Sequence, residues 1–177
     1  MADARFPIDT LNALDPDGFT ALLGGIFEHS PWVARAAYRS RPFGSVVELH
    51  AAMLRAVADA GTERQLRLLQ AHPVLAPAKG TTLTAASASE QAGLGLDLLA
   101  ADESVVMEEL NHAYRTRFGF PFIIAVRGQR DRAAILVALQ TRMHNTPEQE
   151  RPTALAEVAK IARFRLNDLL GESVNAG

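Results

Sequence analysis

The chain has 177 residues, 48% hydrophobic and 21% charged, with a formal net charge of -2 and no cysteine. That length suits one sizeable core, and the composition is that of a globular chain whose charge gives no footprint for nucleic acid or an anionic membrane. Without cysteine there are no disulfides, thiolate nucleophiles or zinc-thiolate sites, which fits a reducing compartment, and no run is apolar for long enough to cross a bilayer.

Residues 1–9 read as an extended lead-in, and Met1 to Pro7 has acid and proline where a secretory leader needs positive charge followed by an apolar run. Asp15 or Asp17 caps a helix predicted over 18–28, with Phe19, Leu22, Leu23, Ile26 and Phe27 inward. Gly24-Gly25 inside that pattern predicts the close approach of another backbone. Ser30 and Pro31 are suited to the cap and first position of a second helix, whose inner face is Trp32, Val33, Ala36 and Ala37. After the break at Arg41-Pro42-Phe43-Gly44, Ser45 caps a helix over 46–60 with Val46, Leu49, Met53, Leu54 and Val57 inward. Gly61 ends it, and Thr62 caps the next, which carries Leu66 and Leu69 up to His72 before Pro73 stops it.

The passage from His72 to Ser87 is rich in Pro, Thr and Ala and reads as an irregular loop. Ser87 opens a short helix that Gly93 and Gly95 end. Asp102 caps a long helix through Val105, Val106, Leu110, Tyr114 and Arg117, ended by Gly119. Residues 118–126 are aromatic and β-branched but have no strand partner, so they are predicted as a buried extended connector whose main-chain groups pair with protein or with a ligand. Asp131 caps a helix carrying Ile135, Leu136, Val137 and Leu139. Thr146-Pro147-Glu148-Gln149 has the form of a reciprocal capping box. The helix it opens runs to about Leu170 with Leu155, Val158, Ile161, Ala162, Leu166 and Leu169 inward. The fold expected is all-α, a single compact domain of seven to nine helices over 8–170, with 1–7 and a frayed 171–177 as terminal extensions. The closing Ser173-Val174-Asn175-Ala176-Gly177 is no peroxisomal address.

Five residues can carry chemistry. His72 stands at a helix C-terminus, either as a proton-transfer group or as a plain cap of the last carbonyls. Ser87 and Glu90 have capping-box spacing, so they either hold their own helix amides or, with Gln91 beside them, form a receptor for a urea or amide. Arg165 shares the core face of the last helix with Val158, Ile161 and Leu169; a buried guanidinium needs an anion, which is either an internal Glu157 or Asp168 or a ligand carboxylate. The other histidines sit singly. No pair has zinc-ligand spacing, and no phosphate loop, nucleophile elbow or dinucleotide fingerprint is present.

Several blocks, in order, carry a resemblance: Phe27-Glu28-His29-Ser30-Pro31-Trp32-Val33-Ala34, Arg41-Pro42-Phe43, Ala71-His72-Pro73-Val74-Leu75, Ser87-Ala88-Ser89-Glu90-Gln91, Asn111 through Phe122, and Lys160-Ile161 with Arg165-Leu166. The chain resembles the 2-oxo-4-hydroxy-4-carboxy-5-ureidoimidazoline (OHCU) decarboxylase family. The resemblance implies an all-helical homodimer that forms (S)-allantoin from a ureidoimidazoline in urate breakdown, a lyase working without cofactor or metal; the setting expected is cytoplasmic, since no peroxisomal signal is read. It implies His72 and Glu90 as catalytic residues. Pro73, Ser87, Gln91, the main chain of Phe122, Ile123 and Ile124, and Arg165 would bind substrate, with Arg163 as the near alternative to Arg165. Val74 and the Thr/Ala passage before Ser87 depart from the family pattern without touching these groups. The competing expectations are a lyase for a related ureido compound and a non-catalytic helical interaction module.

Overall fold

A computed structural model describes residues 6–78 and 80–171. Among them the chain forms nine α-helices and two 3-10 turns, with no strand. Packing groups the chain into two compact units, Met1–Leu68 with Ala159–Gly177, and Leu69–Val158. No helix of the described residues is long and apolar enough to cross a membrane.

The first unit holds α1 (Ile8–Ala13), α2 (Pro16–Leu23), α3 (Trp32–Ala37), α4 (Val46–Asp59), most of α5 (Gly61–Gln70) and the end of α9 (Pro147–Leu170). The expected lead-in is helical from Ile8, because Leu11 is an anchor with its side chain in the core; residues 1–5 lie outside the described residues. Asp15 caps α2, accepting from the Gly18 N–H at 2.7 Å. The helix ends at Leu23, not Glu28, since Gly24 and Gly25 terminate it instead of lying within it. A Cβ on Gly24 would stand 3.2 Å from Pro31 Cβ, so the close neighbour expected at this pair is Pro31. In α3 the buried face is Val33, Ala34 and Ala37; Trp32 is half-buried and Ala36 is exposed, one helical position away from the expected stripe.

Ser45 caps α4 by accepting from Glu48 N–H at 3.2 Å, and Val46, Leu49, Met53 and Val57 are its buried stripe. The Arg41-Pro42-Phe43 block is structural. Asn12 pairs with both main-chain groups of Phe43, at 2.8 and 2.9 Å, and so fixes the Phe43 ring 6.3 Å from Phe19.

The second unit holds the end of α5, α6 (Ala85–Ala92), α7 (Ala101–Phe118), α8 (Arg132–Arg142) and the start of α9. Helix α7 begins at Ala101, so Asp102 lies in its first turn and does not cap it; the Glu103 carboxylate reaches back to the Ala100 N–H at 3.0 Å. Its buried stripe is Met107, Asn111, Tyr114 and Phe118, while Val105 and Val106, expected inward, are 55% and 50% exposed. The helical period selects the first set as one stripe. Gly119, with φ of 80°, ends the helix in the left-handed region that favours glycine. Asp131 caps α8 by accepting from Ala134 N–H at 2.8 Å, with Ile135 and Leu139 buried and Val137 exposed. Thr146 and Gln149 form the reciprocal box of α9, at 2.9 and 3.3 Å. Leu155 and Leu169 are half-buried there, and Ala154 takes a core position. The expected tail beyond Gly171 lies outside the described residues.

Between α7 and a 3-10 turn at Val126–Gly128 the chain is extended and buried, as its composition predicts. The Tyr114 ring gathers Phe118, Phe120 and Phe122 around it, with centroids 4.6, 6.0 and 5.2 Å away.

Candidate functional site

His72 lies just past α5, where Pro73 forbids further helix, and its N–H donates to the Leu69 carbonyl at 3.2 Å. Of the five histidines in the chain, His29, His112 and His144 are exposed and His50 is half-buried, whereas His72 is 8% exposed. A buried imidazole on a loop is the group best set apart for proton transfer.

The loop that follows is pinned from two helices. Gln91 Oε1 accepts from Ala76 N–H at 2.8 Å, and Gln91 Nε2 donates to the Val74 carbonyl at 3.1 Å. Asn111 of α7 donates to the Leu75 carbonyl at 2.8 Å. Three consecutive residues are thus fixed, which holds Ala76 at a φ of 46°, a region that alanine rarely adopts. Asn111 Oδ1 is buried and accepts no hydrogen bond among the described residues.

Helix α6 starts two residues before the expected point. Thr84 is its cap, with its hydroxyl accepting from Ser87 N–H at 3.3 Å. Ser87 and Glu90 therefore do not form the capping box; that alternative is overturned by the position of Thr84. Ser87 and Gln91 are buried on one helix face, and Glu90, one turn on from Ser87, is half-buried. The helix packs against the 3-10 turn at Val126–Gly128, which places it beside the end of the extended connector.

The connector is braced at both ends. Arg142 Nη1 donates to the Ile123 carbonyl at 2.7 Å, Ala125 N–H donates to Glu157 Oε2 at 2.8 Å, and the Gly119 carbonyl accepts from Gln70 Nε2 at 3.0 Å. Among the described residues no protein hydrogen bond reaches the main-chain N–H or C=O of Ile124, although the residue is buried. Buried main-chain groups are nearly always paired, so such a residue is suited to meet a ligand.

Behind the connector Arg142, Glu150 and Tyr114 form a buried network. Glu150 Oε1 lies 2.7 Å from Arg142 Nε and accepts from the Tyr114 hydroxyl, and Glu150 Oε2 accepts from Asn145 at 2.6 Å. The Arg142 guanidinium lies 4.5 Å over the Phe122 ring. Burial, reinforced by the hydrogen bond to Glu150, pushes the Tyr114 phenol far above its ordinary value and keeps it a donor.

Sequence reasoning did not single out Arg142, Glu150 or Asn111. The signal was present, because Arg142 continues the Ile135–Leu139 stripe and Glu150 begins the one through Ala154 and Val158, the same core-face anomaly that marked Arg165.

Arg165 belongs to the first unit. It is buried where Arg163 is half-buried, and it donates to Glu28 at 2.8 Å, an anion the sequence reading did not name. In the same unit His50 Nε2–H donates to the Ala159 carbonyl at 2.8 Å, and burial foremost lowers its pKa. Among the described residues no three His, Asp or Glu side chains are grouped to hold a metal ion.

Comparison with known proteins follows the same lines. The family model described as OHCU decarboxylase matches residues 12–167. A 2-oxo-4-hydroxy-4-carboxy-5-ureidoimidazoline decarboxylase of Haloferax volcanii is 47% identical over 159 residues, covering 90% of this chain and 93% of that protein. Among solved structures, an (S)-allantoin synthase superposes with a TM-score of 0.69 at 34% identity, over 91% of this chain and 53% of the other. An OHCU decarboxylase solved in the presence of (S)-allantoin superposes with a TM-score of 0.67 at 25% identity, over 88% of this chain and 99% of the other.

Proposed function

Because the chain belongs to the OHCU decarboxylase family, we propose that His72 is the proton-transfer residue of a site made with Pro73, Ser87, Glu90, Gln91 and the main chain of Phe122, Ile123 and Ile124. The chain is a carboxy-lyase that decarboxylates OHCU to allantoin in urate degradation. The observation that carries the site is the buried His72 on a loop braced by Gln91 of the helix that also bears Ser87 and Glu90.

The substrate holds a carboxylate and a hydroxyl on one ring carbon, next to a carbon in a C=N bond that bears the ureido group. As the bond to the carboxylate breaks, its electron pair forms a double bond to the neighbouring carbon and the C=N nitrogen takes up charge and a proton. The neighbouring carbon then gains a proton, and the hydroxyl loses its own to become a carbonyl. Since the substrate is its own electron sink, this reading needs no cofactor.

The protein's part is orientation and proton transfer. His72 moves a proton at the hydroxyl or carboxylate. Glu90 and the Ile124 main chain meet the ureido and ring amides, where donors and acceptors stand side by side. A fixed pose delivers the proton to one face, which gives the (S) product. Gln91, whose amide is already bonded to Val74 and Ala76, acts on this reading through the loop as well as on substrate. For Arg165 the reading keeps the role of anion receptor on the family resemblance; the burial of its guanidinium is accounted for by the ion pair with Glu28. It also takes the protein as a cytoplasmic homodimer, which rests on the family and, for the compartment, on the cysteine-free chain.

The test generates the substrate in place from urate with urate oxidase and 5-hydroxyisourate hydrolase and follows the circular dichroism of allantoin. Rapid appearance of (S)-allantoin with wild type, lost in folded His72→Ala, supports the assignment. Unchanged turnover in His72→Ala removes His72 from the chemistry.

A further inference from the structure

The connector is held by two side chains of opposite charge that grip adjoining peptides. Arg142 takes the carbonyl of Ile123 at 2.7 Å, and Glu157 takes the N–H of Ala125 at 2.8 Å. The residue between these two grips is Ile124, whose own N–H and C=O meet no protein partner among the described residues. A brace on each side therefore fixes both peptide planes of Ile124, while its own N–H and C=O are left to offer. From this juxtaposition we propose that Arg142, oriented by Glu150, is a positioning residue that, together with Glu157, presents the Ile124 main chain to the ureido or ring amide of the substrate.

The inference rests on the reading above that the Phe122–Ile124 main chain meets substrate, and it goes beyond it by naming the side chains that set its geometry. Three features support the assignment to Arg142. The guanidinium is planar and presents several donors, so one edge meets Glu150, at 2.7 Å from Nε, while Nη1 faces Ile123. Glu150 is in turn fixed by Tyr114 and by Asn145, the latter at 2.6 Å, so the arginine has a rigid support in α7 and in the turn before α9. The guanidinium also lies 4.5 Å over the Phe122 ring, which restrains the first residue of the segment as well. A shift of about 1 Å in such a support can cost about a hundredfold in function, so an indirect role has a measurable consequence.

The test uses Arg142→Lys, which keeps a charge opposite Glu150 but loses the fork that reaches both partners. Two readouts are taken on the full chain: kcat and KM with freshly generated OHCU, and amide hydrogen exchange of Ile124 by NMR with and without (S)-allantoin. In wild type, product should slow Ile124 exchange by about tenfold. In Arg142→Lys that protection should be lost and KM should rise about tenfold, with kcat changed by less than about threefold. Wild-type protection and KM retained in Arg142→Lys overturn the inference while leaving the main-chain reading intact. Absence of product protection in wild type overturns the main-chain reading and the inference with it. Should Arg142→Lys not fold, Glu157→Ala removes the other brace and is judged by the same two readouts.

Discussion

The Arg165 guanidinium donates to the Glu28 carboxylate at 2.8 Å across 137 positions of sequence, with side chains only 7% and 2% exposed. The same Nη1 lies 3.3 Å from the Gly25 carbonyl and 3.4 Å from that of Ile26. One charge at the end of α9 thus gathers the turn that follows α2. Removing only the acid leaves a buried cation, which costs about 3–5 kcal/mol, whereas Glu28→Gln keeps an acceptor oxygen and should cost less. Urea unfolding of Glu28→Ala and Glu28→Gln checks this. Equal midpoints for both variants and wild type would mean that the pair carries no stability.

This pair also shows what could be read from residue order. Arg165 stood out because a guanidinium on a stripe of Val158 and Ile161 needs an anion. Its partner did not, since the helical period predicted over 18–28 left Glu28 off the inward stripe, whereas the helix ends at Leu23 and Glu28 lies in the turn beyond it. Local rules served well where they act over three or four residues, as at Ser45, Asp131 and Thr146, whose caps form as spaced. They failed where two polar residues compete for one cap. Thr84 won over Ser87, and α6 moved by two residues. The connector was legible as buried and extended because aromatic and β-branched residues dominate it. Its braces were not, since Arg142 and Glu157 lie 19 and 32 positions from the peptides they hold.

Gln91 makes two hydrogen bonds to the loop that begins at His72, and each fails in a different way. Gln91→Ala strands the Ala76 donor and the Val74 acceptor, a loss of about 1 kcal/mol for each of these part-buried hydrogen bonds. Gln91→Glu preserves the acceptor for Ala76 but turns an oxygen toward the Val74 carbonyl. Both variants should lose turnover while retaining helical circular dichroism, with the alanine variant lower in melting temperature. Full activity in Gln91→Ala would show that His72 does not depend on this support.

His50 supplies a pH dependence whose sign is fixed by its surroundings. Burial is the main cause lowering its pKa from 6.5, the bond to Ala159 opposes it, and the charge of Arg163 adds to the lowering. The unfolded chain then binds the proton more readily than the folded one between the folded pKa and 6.5. Stability from the neutral ring is present above that window and is lost as pH falls through it. His50→Gln, which can still donate to Ala159, should show a shallower fall of melting temperature below about pH 6.5 than wild type. Parallel curves for the two proteins would assign the acid sensitivity to other groups.

Thr84 and Glu90 separate helix stability from substrate handling on one short helix. Thr84 Oγ1 accepts from Ser87 N–H at 3.3 Å and is the cap, so Thr84→Ala should destabilise α6 by about 1 kcal/mol. Glu90 is half-buried six residues later and has no part in that cap. Glu90→Gln is nearly isosteric and removes only the charge, so its melting temperature should stay within about 1–2 °C of wild type. Its effect should appear in kcat/KM, with a loss of about tenfold or more if the carboxylate holds the ureido or ring amides, since hydrogen bonds to a charged group are the stronger kind. Steady-state kinetics with freshly generated OHCU, run beside thermal melts of both variants, makes the separation. A Glu90→Gln protein that melts early and turns over normally would return Glu90 to a purely structural role.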